Sequence, residues 1–210
     1  MHKQFSEEQK LPATTSVSHP ISSLDSPKRA SRSELKQQAV SLINNVFERI
    51  LKDIDSDAEL LLLQYGSAFF EADDTDESDF DILMVSRYSE MEKFMKAEGG
   101  SRGHGFDISE VRAHFFFGRF FSELGREPNV EVYAADRARI PQIKLTLATH
   151  LQVDLSFAIV SNLEFNRDQN LLLGNSVVAQ LDPMDSCSLL EIQAVRGCEL
   201  IKEFVEQFVP

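Results

Sequence analysis

Residues 65–82 read YGSAFFEADDTDESDFDI, and the order of residues in this stretch decides the fold that the sequence predicts. A Gly-Ser pair lies near its start, and Asp79 and Asp81 stand one residue apart near its end. Residues 71–77 contribute five acids and no base, so that seven carboxylates fall within eighteen residues. Like charges at this density repel one another. Either the stretch is a solvated acidic loop, or two of its acids are held in place to bind a metal ion.

The last two acids fall on a predicted strand. Residues 79–85 are mostly apolar and follow a second apolar run, at 59–65, that is typical of a buried strand. Side chains alternate along a strand, so Asp79 and Asp81 point to the same face, with their Cα atoms roughly 6.5–7 Å apart. Two ionised carboxylates that close destabilise each other, and a divalent cation between them removes that cost. Oxygen ligands of this type suit Mg²⁺ or Mn²⁺.

A third carboxylate lies on the clearest hairpin pattern of the chain, at residues 140–160. Polar and apolar residues alternate along two neighbouring runs, which predicts a sheet with one buried face and one open, polar face. Asp154 falls on the polar face. If the hairpin pairs beside the strand of Asp79 and Asp81, the three acids can hold two cations about 3.5–4 Å apart. Such a pair clamps both the attacking and the leaving oxygen of a phosphoryl transfer.

The Gly66-Ser67 pair ends the strand that precedes the acids. Glycine lets the backbone come close to a ligand. If a helix starts there, its free amides and the Ser67 hydroxyl face a phosphate. Each of these pieces is common when it stands alone, because Gly-Ser pairs form turns and Asp-x-Asp pairs occur on solvated surfaces. It is their order along the chain that points to a nucleotide and metal site.

Helical patterns account for much of the remaining sequence. Ser31 and Glu34 form a capping box at the start of a helix that we expect to run over about residues 32–54. Residues 109–124 predict a helix rich in Phe, and we interpret its rings as core rather than as a base-stacking platform. The other predicted elements are a short helix at 89–97, a strand at 130–134 and a helical segment from 171 to the end, with turns near 182–183.

Composition bounds the domain organisation and excludes some classes of protein. A chain of 210 residues with 42% hydrophobic residues predicts one globular domain, residues 31–210, behind an irregular arm, residues 1–30. Two cysteines without a secretion signal predict a reduced, intracellular protein, and no apolar run is long enough to span a membrane. The whole chain has a formal charge of −13, and because residues 1–33 carry +2, the remainder carries −13 − 2 = −15. This acidity counts against tight RNA or DNA binding by the domain alone.

The order of these motifs resembles the nucleotidyltransferase superfamily, and within it the catalytic domain of eukaryotic poly(A) polymerases. Besides residues 65–82, the similar segments are SVSHPISSLDSPK, HFFFGRFFSEL, IPQIKLTLATHLQVDLSFAIV and, more loosely, NLLLGNSVVAQLDPMDSCSLLEIQAVRG. The resemblance implies an α+β, DNA polymerase beta-like fold, in which a mixed sheet has helices on one face and an open polar face that carries the three Asp. It also implies mRNA 3′-end polyadenylation in the nucleus.

The resemblance implies a two-metal transfer of AMP to RNA. In this scheme Asp79 and Asp81 ligate two Mg²⁺ (or Mn²⁺) ions. Asp154 holds one of the ions and helps to activate the 3′ hydroxyl of the RNA. That hydroxyl oxygen attacks the α-phosphate of ATP in line, and pyrophosphate leaves.

Other positions match residues that contact the nucleotide in the family. By resemblance, Tyr65, Gly66 and Ser67 contact the triphosphate, and Thr75 falls at the place of a nucleotide-contacting Thr. Lys144 matches a family lysine, but the resemblance does not fix its role. The alternative for Lys144 is an exposed lysine at the edge of the sheet.

Three departures from the family pattern concern the nucleotide site. Phe69 and Asp76 stand where the family has basic residues, so the loop presents acids to an incoming triphosphate, which weakens nucleotide binding, most strongly at low salt. Leu190 replaces a motif Asn, with Arg196 as the candidate replacement. The family also continues past the match to residues 209–210, into a helical middle domain that supplies part of the ATP site and then into an RNA-binding domain.

Three alternatives to an active poly(A) polymerase domain follow. The chain could be a truncated or inactive nucleotidyltransferase-fold protein that needs or binds a protein partner. It could be a minimal nucleotidyltransferase whose acceptor is not RNA, because the acidic body offers an RNA few cationic contacts. It could also be a cation binder without catalytic activity. The sequence leaves the nucleotide preference, the RNA specificity and the oligomeric state open.

Overall fold

A computed structural model describes residues 31–54, 60–66, 79–100, 105–148, 151–163 and 178–208. The helices in these ranges are α1 (Arg32–Asp53), α2 (Tyr88–Ala97), α3 (108–124) and α4 (Ser186–Phe208), with a 3₁₀ turn at Val178–Gln180. The strands are β1 (Leu61–Tyr65), β2 (Phe80–Arg87), β3 (Val130–Ala135), β4 (Gln142–Leu147) and β5 (Leu151–Val160). None of these helices is long and apolar enough to cross a membrane.

The strands form one mixed sheet in the order β1-β2-β5-β4-β3. β2 and β5 pair in parallel, and the other neighbouring pairs are antiparallel. A parallel pair needs a long connection that returns the chain to the starting edge, and the segment from α2 to β4 provides it. This arrangement confirms the predicted α+β class with a mixed sheet. It also places the predicted hairpin, β4 and β5, beside the strand that carries Asp81.

One face of the sheet carries the main hydrophobic core, under α1, α2 and α3. Phe115 and Phe116 of α3 lie against Phe157 of β5, with ring centroids 5.4 and 5.2 Å apart. The middle of α3, Arg112–Phe120, is π-helical, with backbone hydrogen bonds between residues five apart. Phe115 and Phe120 are five residues apart and therefore both face the core. The Phe-rich helix is thus buried, as the sequence predicts.

The opposite face of the sheet is only half open, so the prediction of helices on one face alone was wrong. Ala158 and Val160 of β5 are buried and belong to a second apolar cluster with Ile192 and Val195 of α4. The alternating polar residues of β5 up to Ser156 had suggested an open face. Beyond Ser156 the strand is apolar on both faces, and such a strand has to be covered on both sides. α4 provides that cover.

A buried polar network fastens α4 to the edge of β5 beyond the end of β4. Arg112 donates a hydrogen bond to the Phe157 carbonyl, and the Ile159 amide donates to Ser188 Oγ at 2.9 Å. Arg112 also pairs with Asp185 of the turn before α4, with nitrogen and oxygen 3.1 Å apart. Buried backbone groups need partners, and here side chains of α3 and α4 replace the missing strand.

α1 begins at the predicted capping box. The Glu34 amide donates to Ser31 Oγ at 3.3 Å, and the Ser31 amide donates to Glu34 Oε2 at 2.6 Å. These bonds satisfy amides at the helix start, and they lower the pKa of Glu34. The observed bounds, Arg32–Asp53, confirm the predicted helix. The predicted arm at residues 1–30 lies outside the described residues, so the division into arm and domain stays a prediction.

Candidate functional site

A single row of side chains crosses all five strands on the half-open face. The strand register places Tyr65, Asp81, Asp154, Lys144 and Tyr133 beside one another in this order, from β1 to β3. Neighbouring strands lie roughly 4.8 Å apart, so consecutive members of this cross-strand row are close enough to interact. The row lies at the border between the open half of the face and the half that α4 covers.

Asp81 and Asp154 are direct neighbours on the two parallel strands. Burial raises the pKa of Asp81 to about 6, and the negative charges of Asp154 and Asp79 add to the rise. Asp79 precedes β2 by one residue, so the period of two assigns it to the same face as Asp81. The structure therefore brings together two predicted acids that lie far apart in sequence, and it confirms that the hairpin pairs beside the Asp-x-Asp strand.

Lys144 is bonded to one of these acids. Its Nζ lies 2.7 Å from Asp154 Oδ2, and this hydrogen bond raises the pKa of Lys144. Asp154 is buried, whereas the Lys144 side chain is 46% exposed. Lys144 stands on β4, inside the sheet, because β3 forms the edge. The alternative of an exposed lysine at the edge of the sheet was therefore right about the exposure and wrong about the edge.

Gly66 ends β1 in a backbone conformation that only glycine adopts easily, with φ at +72°. A Cβ atom at this position would lie 2.0 Å from Asp81 Oδ2. The turn and the carboxylate are therefore packed against each other without room for a side chain. The sequence predicted that glycine allows a close approach here, and in the structure the approaching group is the Asp81 carboxylate.

Tyr65, the first member of the cross-strand row, connects the row to the apolar cluster under α4. Its hydroxyl lies 3.2 Å from Ser156 Oγ, and its ring packs against that cluster. Burial raises the pKa of Tyr65 to about 12, with the Ser156 hydrogen bond opposing the rise and the charge of Asp81 adding to it. Tyr65 thus forms a wall behind Asp81. Its predicted contact with a triphosphate stays a prediction.

The chemistry of Asp81 and Asp154 fits a divalent cation. Two neighbouring carboxylates repel each other when both are ionised, and a cation between them removes this cost. Over the described residues, no ready-made group of three or more His, Cys, Asp or Glu side chains could hold a metal ion. Lys144 supplies the positive charge at Asp154 instead. The metal site predicted from three Asp, including Asp79, stays a prediction.

Several predicted positions lie elsewhere. Ser67 and Thr75 lie outside the described residues, as does the whole acidic loop at 71–77. Arg196, the candidate replacement for a motif Asn, donates to the Val178 carbonyl with two nitrogens, at 3.2 and 2.8 Å. The guanidinium of Arg196 is thus bonded to the chain itself, at the 3₁₀ turn before α4.

Two residues of the site went unrecognised in the sequence, Tyr133 and Ser156. Tyr133 alternates with Val130 and Val132, which pack against the main core, and this alternation was the available signal that the ring faces the site. Ser156 follows the same alternation as Asp154. Its partner Tyr65 is 91 residues away along the chain, so no local pattern could have shown their contact.

Comparisons with known proteins give structural matches only. No protein-family model matches the chain, and no curated protein matches it. Among solved structures, Cid1 in complex with a UTP analogue has 18% sequence identity and a TM-score of 0.39 over 81% of this chain. Terminal uridylyl transferase 4 from Trypanosoma brucei, with bound UTP and UpU, has 12% identity and a TM-score of 0.42 over 83% of this chain. The matches span 34% of the first structure and 40% of the second.

Proposed function

We propose that the chain is the catalytic domain of a nucleotidyltransferase, which transfers a nucleotide from a nucleoside triphosphate to the 3′ hydroxyl of an RNA. The observation that carries this proposal is the placement of Asp81 beside Asp154, with the Gly66 turn packed against the first of them. The resemblance to poly(A) polymerases supports a finer form of the proposal. In that form the donor is ATP, AMP is added to mRNA 3′ ends, and the protein acts in the nucleus.

Asp81 and Asp154 are placed to hold a divalent cation, with Asp79 as the third candidate ligand. When bound, such cations balance the charge on the attacking and leaving oxygens. Tyr65 and α4 shield the inner side of Asp81 from water, and electrostatic interactions are stronger in such a protected site. The half-exposed Lys144 orients Asp154 and can exchange that bond for one to a phosphate oxygen.

The triphosphate is assigned to the β1 end of the row. The backbone turns at Gly66 beside Asp81, and the sequence that follows contains Ser67 and Thr75. Both are proposed contacts of the nucleotide, together with Tyr65 and Gly66. The five acids at 71–77 oppose an anionic ligand, so we propose that nucleotide binding depends on divalent cations more steeply than the phosphate contacts alone require.

Primer extension with Mg²⁺ and each of the four ribonucleoside triphosphates in turn tests the proposal. We expect extension of a single-stranded RNA, with ATP as the best donor. Asp81→Asn and Asp154→Asn should each lower the rate at least about 100-fold, because they remove proposed metal ligands. Glu48→Gln, an exposed carboxylate on α1, is the matched control and should extend like the wild type.

The outcomes of this assay distinguish nucleotidyl transfer to RNA in general from the transfer of AMP in particular. A preference for another nucleotide would contradict the adenylyl part and leave RNA nucleotidyl transfer standing. Absence of product with every donor, or equal product from the wild type and Asp81→Asn, would contradict the proposal as a whole.

A second candidate function is binding of a protein partner, and α4 carries the observation that favours it. Its last turns expose a continuous apolar stripe, with Leu200 at 65% and Phe204 at 60% exposure, flanked by Ile201 and Val205. Exposed apolar patches of this kind often mark interaction sites. Sedimentation of the wild type and of Phe204→Glu tests it. A monomer of unchanged size in both would count against self-association through this stripe.

A further inference from the structure

Tyr133 is an exposed aromatic residue at one end of the cross-strand row. It lies on the edge strand β3 and is 66% exposed, while its neighbours Val130 and Val132 turn toward the main core. Exposing so much of an aromatic ring to water costs free energy in proportion to its apolar area. The ring stands on the same face of the sheet as the Asp81 and Asp154 carboxylates, so its exposure bears on what binds at this site.

The register fixes how far Tyr133 stands from those carboxylates. Tyr133 is the cross-strand partner of Lys144, and Lys144 is the partner of Asp154, to which its Nζ is bonded. At roughly 4.8 Å per strand, the Cα atoms of Tyr133 and Asp154 lie about 10 Å apart. This is within the reach of one or two nucleotides whose sugar–phosphate end lies at Asp154.

The two ends of the cross-strand row, at Gly66 and at Tyr133, differ in their surroundings. This difference indicates which end faces the acceptor strand. The inference rests on the proposed function, in which the triphosphate lies at the Gly66 end. A two-metal transfer keeps the attacking and leaving oxygens on opposite sides of the reacting phosphorus. The leaving pyrophosphate then lies toward Gly66, and the attacking hydroxyl, with the strand that carries it, comes from the side of Lys144 and Tyr133.

The charge on that side is mixed. The turn between β3 and β4 carries Arg137 and Arg139, both exposed, two and four residues after the end of β3. Lys144 is a third base on this side, and the exposed acids Glu131 and Asp136 lie in the same stretch of β3 and its turn. Three cations give limited phosphate affinity, so an acceptor strand needs a further contact that does not depend on charge.

We propose that Tyr133 stacks on a base near the 3′ end of the acceptor RNA, while Lys144, Arg137 and Arg139 face its phosphates. Stacking of a base on an aromatic ring is independent of charge and tolerant of sequence, because every base has a π-face. It compensates for the acidity that counts against RNA binding by this chain. The acceptor is therefore a single strand, whose bases are free to stack.

Steady-state kinetics of two Tyr133 variants test this role. Tyr133→Ala should raise the KM for the RNA acceptor about tenfold, with the KM for the nucleotide donor changing far less. Tyr133→Phe keeps the ring and should restore most of the acceptor affinity. A purely structural role for Tyr133 would instead affect both KM values alike, and thermal unfolding of the variants shows whether β3 is intact. Equal acceptor KM values for Tyr133→Ala and the wild type would overturn the proposal.

A fluorescence titration tests the same contact without catalysis. The chain has no Trp, so Tyr133→Trp creates a single indole at the proposed contact. A short single-stranded RNA should quench its emission and saturate. Phe204→Trp, on the exposed stripe of α4, is the matched control and should not respond.

The titration distinguishes failure of this inference from failure of the proposed function. Quenching by RNA in Tyr133→Trp supports the contact, whatever the transfer assay shows. Absence of quenching by RNA overturns it, even where transfer is active and the proposed function stands. Quenching by nucleoside triphosphate alone would assign the ring to the donor base and would also overturn the inference.

Discussion

The two halves of the α4-side sheet face contain similar groups in different surroundings. Beside the covered half, Arg112 reaches from α3 across the edge of β5, bonds the β5 backbone, Asp185 and Ser188, and lies 3.9 Å from the buried Glu191. In the open half, the half-exposed Lys144 is bonded to Asp154, and its charge also acts on Asp81. The first set is closed by its own contacts and holds α4 in place. The second leaves carboxylate oxygens accessible from the open side of the sheet.

The comparison shows that a shifted pKa does not identify a site by itself. Burial raises the pKa of Glu191 to about 8, further than that of Asp81, and raises the pKa of the nearby Cys187 thiol to about 11. Both groups belong to α4, where the contacts are structural. Access to the open face is what distinguishes Asp81.

Removal of Arg112 should give the largest loss of stability. Arg112→Ala leaves the Phe157 carbonyl and the Asp185 carboxylate without their cationic partner in a buried place, which costs about 3–5 kcal/mol. Urea unfolding measures the loss. Arg126→Ala is the matched control, because that side chain is 67% exposed in its pair with Glu123, and it should change stability by less than about 1 kcal/mol. Similar losses in the two variants would remove the distinction between a buried network and a surface pair.

Gly66→Ala should cost about 2–4 kcal/mol, from strain at positive φ and from overlap with the Asp81 carboxylate. Gly99→Ala separates the two causes. Gly99 also has positive φ, at +90°, but a Cβ there meets nothing within 4 Å. Unfolding free energies of both variants should therefore differ by the cost of the overlap. If Gly99→Ala were as destabilising as Gly66→Ala, the close packing of Gly66 on Asp81 would be contradicted.

Glu191 should make the protein less stable as the pH rises. Its pKa is about 8 in the folded protein and near the ordinary 4.5 in the unfolded chain. Between these values the folded state keeps a proton that the unfolded state loses, so stability is full below pH 4.5 and falls toward pH 8. Glu191→Gln should match the wild type near pH 5 and exceed it at pH 8 by on the order of 2 kcal/mol. Urea unfolding of both proteins measures this difference. The same difference in unfolding free energy between Glu191→Gln and the wild type at pH 5 and at pH 8 would refute the raised pKa of Glu191.

Lys144→Ala should have the smallest effect on stability, although Lys144 and Arg112 both pair with an acid. The Lys144 side chain is 46% exposed, and pairs of this kind contribute less than about 1 kcal/mol. Primer extension by the same variant should nevertheless fall, because Lys144 faces the ligands of the proposed site. A loss of stability comparable to that of Arg112→Ala would show that the open half is a structural network too.

Local patterns were enough to predict much of the fold. The capping box at Ser31 and Glu34 marks the start of α1, and period-two alternation marks β4 and β5, because both signals depend on residues close in sequence. The same alternation placed Asp154 on the correct face. From the sequence, the pairing of the β4–β5 hairpin beside Asp81 could be stated only as a condition. The register between strands that are distant in sequence is fixed by tertiary packing, which no local pattern shows.

Long-range contacts explain what the sequence could not show. α4 covers half of a face that alternation marked as open, because Ser156 is polar but is buried against Tyr65. Arg112 lies within a Phe-rich run, and its role depends on the Phe157 backbone, which lies 45 residues further along the chain. The π-helical geometry of α3 follows from packing five residues apart and has no simple signature in hydrophobic spacing.

Calorimetric titration with Mn²⁺ tests most directly the claim that the open half is a metal-dependent site and the covered half is structural. Three proteins are compared: the wild type, Asp81→Asn and Glu191→Gln. We predict saturable Mn²⁺ binding by the wild type and by Glu191→Gln, and its loss in Asp81→Asn. Identical titration curves for all three proteins would contradict this claim, because Asp81 would then hold no metal ion.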